Sequence, residues 1–328
     1  MIRKFLLALA VFVSMVANAR NGGEPESDAW IISAKSEIKV NKDWKQLKAP
    51  VCLMVANDLG RNGYYDQKPI AELMGVMAEE IGPDAVLALG DVHHFEGVQS
   101  VNDPLWMTNY ESIYSHPELM IDWFAICGNH EYRGNTQAAM DYSKVSRRWE
   151  MPAKYYSRTF SGKGATVKVI FLDTTPLIDK YRTDTEEYPD AAAQDMDAQL
   201  QWLDRELSGA TEDWVIVAGH HPIYADTPKD ESERVDMQRR VDSILQKHRV
   251  DMYLCGHIHN FQHIDRNGID YIVNSSGSLS REKVKPVEGT VFVSGEPGYS
   301  VLGASKSKLS LSMIDSKGNI IHQATRTK

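Results

Sequence analysis

Five short apolar segments recur along the chain, and each is followed at once by glycine or asparagine and then by polar residues. The clearest is Ala85-Val-Leu-Ala-Leu89, which leads into Gly90-Asp91-Val92-His93-His94. Apolar runs of this length are typical of strands buried on both faces. The other runs lie at Val51–Ala56, Trp123–Cys127, Trp214–Ala218 and Met252–Cys255. Ligands of open α/β sheets bind at the carboxyl ends of the strands, so we expect the five polar ends to meet.

Helical periodicity separates these runs and indicates an α/β fold. Apolar residues from Ile70 to Met77 recur on one helical face, and Gly82-Pro83 ends that helix. The pattern predicts further helices at Ala138–Trp149, Gln194–Leu207 and Val235–Lys247, and a hairpin from Tyr155–Phe160 and Thr166–Leu172. The polar segment Asp179–Asp190 is interpreted as a mobile surface loop, with a flap beside the site as the alternative.

The first nineteen residues have the composition of a secretory signal peptide, because Arg3 and Lys4 precede an apolar run that ends at Ala17-Asn-Ala19. We therefore expect a secreted or periplasmic protein. Residues 20–49 are interpreted as an N-terminal lead-in, and residues 50–328 as a single catalytic domain, because its polar strand ends must come together.

The formal net charge is −9, and it becomes −11 after cleavage because residues 1–19 hold two basic residues and no acid. An acidic surface argues against a nucleic-acid partner. It still permits a small phosphorylated substrate, since bound metal ions reverse the local field. No later segment is apolar enough for stable membrane association, and we expect a monomer. Three cysteines at strand positions do not form a disulfide framework.

The strand ends supply a set of candidate metal ligands that mixes carboxylate, amide and imidazole groups: Asp58, Asp91, His94, Asn129, His220, His257 and His259. Imidazole favours Fe, Zn or Mn over Ca or Mg. Seven ligands are too many for one catalytic ion that must keep an open position. With one bridging carboxylate they suit two ions about 3.5–4 Å apart.

The blocks Asp58-x-Gly60, Gly90-Asp91-x-x-His94, Gly128-Asn129-His130-Glu131, Gly219-His220 and Gly256-His257-x-His259 resemble the signature of calcineurin-like metallophosphoesterases. Connecting segments such as Tyr142-Ser-Lys-Val-Ser-Arg-Arg-Trp149 are similar to the small tartrate-resistant, or purple, acid phosphatases. The resemblance covers about residues 50–328. It implies a four-layer αββα sandwich of two mixed β-sheets flanked by helices, and an acid phosphatase-like activity.

The resemblance also divides the ligands between two ions. It implies that one is held by Asp58, Asp91, His94 and His259, and the other by Asp91, Asn129, His220 and His257. Asp91 then bridges both.

Two positions depart from the family pattern. His94 stands where purple phosphatases have a tyrosinate bound to ferric iron, so we predict a protein without the purple colour that holds divalent ions or easily reduced iron. His93 is the alternative ligand, but the spacing favours His94. Asn57 replaces the usual glycine before Asp58, and it either tightens the turn or adds a hydrogen bond near the metal.

The expected reaction is hydrolysis of a phosphate monoester by hydroxide from the metal centre. His130 is the candidate general acid. Glu131 either orients that imidazole or caps a helix start. Asn129 and His221 are candidate substrate contacts, although packing is an equal alternative for His221. A phosphodiesterase or nucleotide hydrolase would use the same centre, and a catalytically silent binding module is the hypothesis from another class.

Overall fold

The computed structural model describes residues 38–328, so the predicted signal peptide at 1–19 and the start of the lead-in lie outside the described residues. Within this range two seven-stranded β-sheets stand at the centre, with helices around them. The strands are β1 (Val51–Ala56), β2 (Ala85–Ala88), β3 (Trp123–Ala125), β4 (Trp149–Glu150), β5 (Tyr156–Gly162), β6 (Ala165–Phe171), β7 (Trp214–Ala218), β8 (Met252–Cys255), β9 (Phe261–Arg266), β10 (Ile269–Val273), β11 (Thr290–Ser294), β12 (Gly298–Ala304), β13 (Lys308–Asp315) and β14 (Ile320–Thr327).

Both sheets mix parallel and antiparallel pairs, which confirms the predicted fold class. The first sheet has the order β14-β13-β12-β1-β2-β3-β4, and its pairs from β1 to β4 are parallel. The second has the order β11-β9-β10-β8-β7-β6-β5, in which β6, β7, β8 and β10 run parallel. The carboxyl ends of β1, β2, β3, β7 and β8 carry the polar motifs.

The α-helices are α1 (Gln67–Ile81), α2 (Thr136–Asp141), α3 (Asp179–Thr183), α4 (Met196–Ser208), α5 (Glu231–Met237) and α6 (Ser243–His248). A π-helical turn at Gln238–Asp242 joins α5 to α6, and another spans Trp106–Glu111. Short 3₁₀ turns lie at Lys42–Leu47, Pro117–Leu119, Glu131–Arg133, Tyr142–Lys144 and Thr175–Leu177. No helix in residues 38–328 combines the length and apolar character needed to cross a membrane.

The apolar core lies between the two sheets. Val51, Leu53 and Val55 of β1 belong to the same buried cluster as Ile216 of β7 and Leu254 of β8. The alternate residues of β1 are buried too, because side chains of a strand alternate between its two faces and each face of this sheet is covered. This double burial explains why the strands read as continuous apolar runs.

Two predicted elements differ from the structure. The helix expected over Ala138–Trp149 ends at Asp141, because Trp149 pairs with Trp123 in the sheet and its indole donates to the carbonyl of Ala139. The loop expected over residues 179–190 is helical in its first part and irregular only after Thr183. That segment begins with α3 and buries the rings of Tyr181 and Tyr188. The sequence did not predict this burial, because most of the neighbouring residues are charged or polar.

The end of the predicted lead-in packs against the domain. The Trp44 ring is fully buried, and its indole N–H donates to the carbonyl of Gly318 at 2.8 Å. Residues from Val40 to Lys328 accordingly form one compact unit.

Candidate metal centre

The loops after β1, β2 and β3 of the first sheet meet the loops after β7 and β8 of the second. They bring together the predicted carboxylate and imidazole ligands. All seven candidate ligands are buried: Asp58, Asp91, His94, Asn129, His220, His257 and His259. Ligand atoms of Asp58, His94 and His259 lie within 4.8 Å of one another, and so do those of Asp58, Asp91 and His220. Residues up to 201 positions apart in sequence thus share one pocket of donors, from Asp58 to His259.

Three of the imidazoles are held in one orientation by backbone carbonyls. The Nδ1 atoms of His94, His220 and His259 lie 3.1, 2.8 and 2.6 Å from the carbonyl oxygens of Gly60, Leu89 and Leu279. A carbonyl only accepts, so each Nδ1 carries the hydrogen and each Nε2 keeps its lone pair. This arrangement is the one in which metal-binding histidines are usually fixed.

Each of these free Nε2 atoms faces a carboxylate. His259 Nε2 lies 3.0 Å from Asp58 Oδ1, and Asp91 Oδ2 lies 3.1 Å from His220 Nε2 and 3.5 Å from His94 Nε2. Two acceptors at such a distance repel unless a cation lies with them. A divalent ion is a cation that suits these donors.

Several of these atoms have no other partner. Asp58 Oδ1, His94 Nε2 and Asn129 Oδ1 are buried, and none has a hydrogen bond within the described residues. Buried polar atoms are rarely left unpaired without a reason such as an ion. The donors are imidazole nitrogen and carboxylate or amide oxygen, which Zn, Mn and Fe accept. The residues present therefore fit a pair of such ions.

His257 is oriented the opposite way. Its Nε2 lies 2.9 Å from Oε2 of Glu233, a buried residue of α5, and its Nδ1 lies 3.2 Å from His220 Nε2. Nδ1 is thus the atom available to a metal. The other Glu233 oxygen accepts from Lys180 Nζ at 2.8 Å, which fixes the carboxylate. Glu233 was missed in the sequence, because nothing nearby in the chain marks it as a partner of His257.

Lys229 is a second residue that the sequence did not reveal. Its Nζ lies 3.2 Å from His257 Nδ1 and 3.1 Å from His257 Nε2. Burial lowers the pKa of this amine, although the charges of Asp91 and Asp58 oppose that effect. A lysine amine therefore lies against one of the predicted ligands.

The charged groups of the centre shift one another's pKa values. Burial by itself would raise the pKa of Asp58 and of Asp91, but the neighbouring imidazoles outweigh it and hold both below their usual range. Burial would lower the pKa of His220, yet Asp91 and Asp58 raise it to about 9. At His94 burial prevails over Asp91, and the pKa falls to about 4. The two carboxylates are thus held ionised, as metal ligands must be.

The glycines of the motifs allow the loops to approach closely. Gly90 has φ +86°, and a Cβ there would lie 2.7 Å from His220 Nδ1. A Cβ on Gly128 would lie 2.2 Å from Asp91 Oδ1. Four of the predicted ligands also have positive φ values: Asp58, Asp91, His257 and His259. This backbone conformation is strained for residues other than glycine, so neighbouring contacts must stabilise it.

Asn57 supports the first ligand. Its amide nitrogen donates to Asp58 Oδ2 at 2.6 Å, and its Oδ1 accepts from Asn274 Nδ2 at 2.6 Å. Of the two roles considered for this departure from the family pattern, the structure shows the added hydrogen bond.

The structure separates the roles of His93 and His94. The His93 ring is fully buried and packs edge-on against Trp106, with ring centroids 4.4 Å apart. His94 points to the other side, toward Asp58 and His259. The alternative that His93 supplies the ligand atom is therefore not favoured.

His130 is partly exposed at the edge of the centre. Its Nδ1 donates to the carbonyl of Phe95 at 2.6 Å, and its Nε2 lies 3.9 Å from Asp91 Oδ2. The imidazole is thus held by the backbone, with Nε2 toward the ligands. The ring also lies 4.2 Å from that of His94, centroid to centroid.

Glu131 is oriented away from that imidazole. Its buried Oε2 accepts from the backbone N–H groups of Asp91 at 2.8 Å and Gly128 at 2.7 Å, and its Oε1 accepts from that of His93 at 3.0 Å. The carboxylate therefore ties the loop after β2 to the loop after β3. Neither the orientation of His130 nor a helix cap accounts for these bonds.

His221 has no solvent exposure. Its Nδ1 lies 2.8 Å from Thr174 Oγ1, and its ring packs on those of His257 and Tyr181 at 4.3 and 5.1 Å. Burial lowers its pKa well below the usual value, so the ring is neutral. This environment favours the packing role over contact with a substrate.

Comparison with known proteins agrees with this geometry. Residues 53–261 match the family model of the calcineurin-like phosphoesterases. The chain is 29% identical to purple acid phosphatase 7 of Arabidopsis thaliana over 295 residues, with 87% of this chain and 88% of that protein covered. It is 33% identical to tartrate-resistant acid phosphatase type 5 of Oryctolagus cuniculus over 266 residues, with 77% and 81% covered.

A solved structure shares the fold. The Plasmodium protein GAP50, described as the anchor in the inner membrane complex, superposes with a TM-score of 0.74 at 23% identity, with 85% of this chain and 89% of that chain covered. Together, the family match over most of the domain and the convergence of its motif residues establish that this chain belongs to the calcineurin-like phosphoesterase family and is a metal-dependent phosphoesterase.

Proposed function

We propose that the chain is a secreted phosphatase that hydrolyses phosphate monoesters at a two-metal centre. The observation that carries this proposal is the position of Asp91. Its carboxylate lies between the His94 and His220 imidazoles, and the free Nε2 of His130 lies 3.9 Å away. A carboxylate suited to bridging two ions, Asp91, and a candidate proton donor, His130, therefore lie next to each other.

The two ions would be held by the ligand sets that the family resemblance implies. Asp58, Asp91, His94 and His259 would hold one, and Asp91, Asn129, His220 and His257 the other. When bound, such ions neutralise phosphate oxygens and make hydroxide available near neutral pH. Zn, Mn and Fe are the candidate metals.

His130 would complete the reaction as general acid. The Phe95 carbonyl fixes the hydrogen on Nδ1, so only Nε2 of the protonated ring can give a proton to the leaving oxygen. The partial exposure of the ring lets it recover that proton from water. Asn57, Glu131 and Glu233 act as positioning residues, because each holds a ligand or a ligand loop through hydrogen bonds.

The identity of residue 94 bears on the metals. A neutral imidazole stabilises a ferric ion less than a phenolate does, so we expect the iron-loaded protein to lack a tyrosinate-to-iron absorption band. A visible spectrum of the purified protein tests this expectation, and a purple protein would contradict it.

Secretion is proposed from the N-terminal sequence. We expect export with cleavage after Ala19, and a monomeric mature chain. N-terminal sequencing of the exported protein and its elution volume in gel filtration test both points.

The decisive experiment compares two substrates on the purified mature protein with Zn, Mn or Fe supplied in turn. Faster hydrolysis of an aryl phosphate than of a bis-aryl phosphate supports the proposal. Preference for the diester supports a phosphodiesterase on the same centre. Absence of turnover with metal bound supports a silent binding module.

A further inference from the structure

A cavity of about 390 Å³ opens beside the candidate metal centre. It is lined by Arg61, Asn62, Tyr64, Tyr65, His94 and Phe95. His94 belongs to both the cavity lining and the candidate ligand set, so the cavity adjoins the candidate metal centre. The loop from Gly60 to Gln67, which follows the first ligand, forms most of the wall.

The cavity gathers exposed aromatic rings. Tyr64, Tyr65 and Phe95 are 72%, 63% and 61% exposed, and they are the exposed Phe, Tyr and Trp side chains of residues 38–328. The remaining aromatic rings of this range are buried or half-buried. Apolar surface is unfavourable in water. Three exposed aromatic rings in one place therefore indicate a surface that binds a flat apolar group.

Arg61 supplies a second observation at the same place. Its side chain is only 9% exposed, and its buried Nε has no hydrogen-bond partner within the described residues. The guanidinium carbon lies 4.8 Å from the centre of the Phe95 ring. A planar guanidinium of this kind stacks on aromatic faces and also attracts the anionic end of a ligand.

Phe95 links the cavity to the proton donor. Its carbonyl holds His130 Nδ1, and its ring lies 6.0 Å from the His130 ring and 6.0 Å from the His94 ring, between centroids. An ester oxygen that takes a proton from His130 Nε2 must lie within hydrogen-bond reach of that atom. The group bonded to this oxygen then extends over Phe95 toward the tyrosines.

We propose that Arg61, Tyr64, Tyr65 and Phe95 form a subsite for an aromatic ring bonded directly to the ester oxygen, and that the natural substrates are aryl phosphate monoesters, phosphotyrosine side chains included. The subsite rests on the proposed phosphatase function and goes beyond it by naming the substrate class. An aliphatic ester would leave the rings uncovered.

The test uses two phosphonates, phenylphosphonate and ethylphosphonate, because their carbon–phosphorus bonds are not hydrolysed and leaving-group reactivity does not enter. Calorimetry on the metal-loaded full chain measures both affinities. The variant Tyr64→Ala/Tyr65→Ala removes two rings, and Tyr64→Phe/Tyr65→Phe is its matched control. We expect the alanine variant to lose about tenfold in phenylphosphonate affinity. Ethylphosphonate binding and the phenylalanine variant should be unchanged.

Equal affinity of the native chain for the two phosphonates, or an unchanged phenylphosphonate affinity in the alanine variant, overturns the subsite. Tighter AMP binding that depends on the tyrosines, without an effect on phenylphosphonate, also overturns it, because the ring would then lie farther from the ester. Loss of the phenyl preference in the alanine variant supports the subsite even if no monoester is hydrolysed, in which case the proposed function alone fails.

Discussion

The role of Glu131 leads to a prediction that separates two mechanisms. The carboxylate accepts three backbone N–H groups, two on Oε2 and one on Oε1. In Glu131→Gln the amide oxygen can keep the first two bonds, but the new NH₂ group then faces the N–H of His93. A hydrogen bond to a charged group is lost, and a buried donor is left unpaired. Each effect costs about 1–3 kcal/mol.

We therefore expect Glu131→Gln to lower the free energy of unfolding by about 3 kcal/mol, and Glu131→Ala by more, because all three acceptor contacts disappear. Urea unfolding of the metal-free protein in chelator measures this directly. Glu118→Gln is the matched control, because Glu118 is exposed, and its effect should stay within about 0.5 kcal/mol.

The competing mechanism gives a different result. If Glu131 served to orient His130, the Gln variant would keep the native stability, and the limb of the pH–rate profile that reports the general acid would move. That outcome would refute the reasoning from the backbone contacts.

Three further variants test the remaining parts of the site and fold. His130→Ala should retain both metals while turnover falls by about 10²–10⁴-fold, as for loss of a general acid; metal analysis showing a lost ion would make His130 a ligand. Lys229→Met should bind the ion proposed at His257 about tenfold more tightly, because an ammonium 3.2 Å from His257 Nδ1 opposes a cation there. An unchanged metal affinity in calorimetry would contradict this. Asp173→Asn concerns pH. Burial raises the pKa of Asp173 from 3.8 to about 7, with Lys154 and Tyr132 opposing, so its contribution to stability is present below pH 3.8 and is lost as pH rises through 7. As the pH rises from 4 to 7, the melting temperature of the variant should therefore increase relative to that of the native chain. Melting temperatures that change in parallel over this range would refute the raised pKa of Asp173.

The candidate metal ligands could be predicted because each lies shortly after an apolar strand. Asp91 follows β2 and His220 follows β7 within a few residues, so the local pattern places both at a carboxyl edge. The family motif then adds the spacing that selects His94 over His93. Strand and ligand are neighbours in the chain, and for this reason periodicity is sufficient.

Other features depend on contacts between distant segments. Glu233 orients His257 across 24 positions of sequence, and Glu131 reaches Asp91 across 40. The burial of Tyr181 in a charged segment and that of His221 beneath His257 follow from the same cause. A side chain's direction is set by what packs around it, and no local pattern contains that information.

The sequence by itself determined the apolar strands, the chemical types of the candidate metal ligands and the family, because these reside in short contiguous motifs. Only the tertiary structure decided which ring nitrogen of each histidine faces the centre, which cation lies beside His257, and that Arg61, Tyr64, Tyr65 and Phe95 form one cavity. The physical reason is that orientation and proximity arise when two sheets bring separate loops to a common edge.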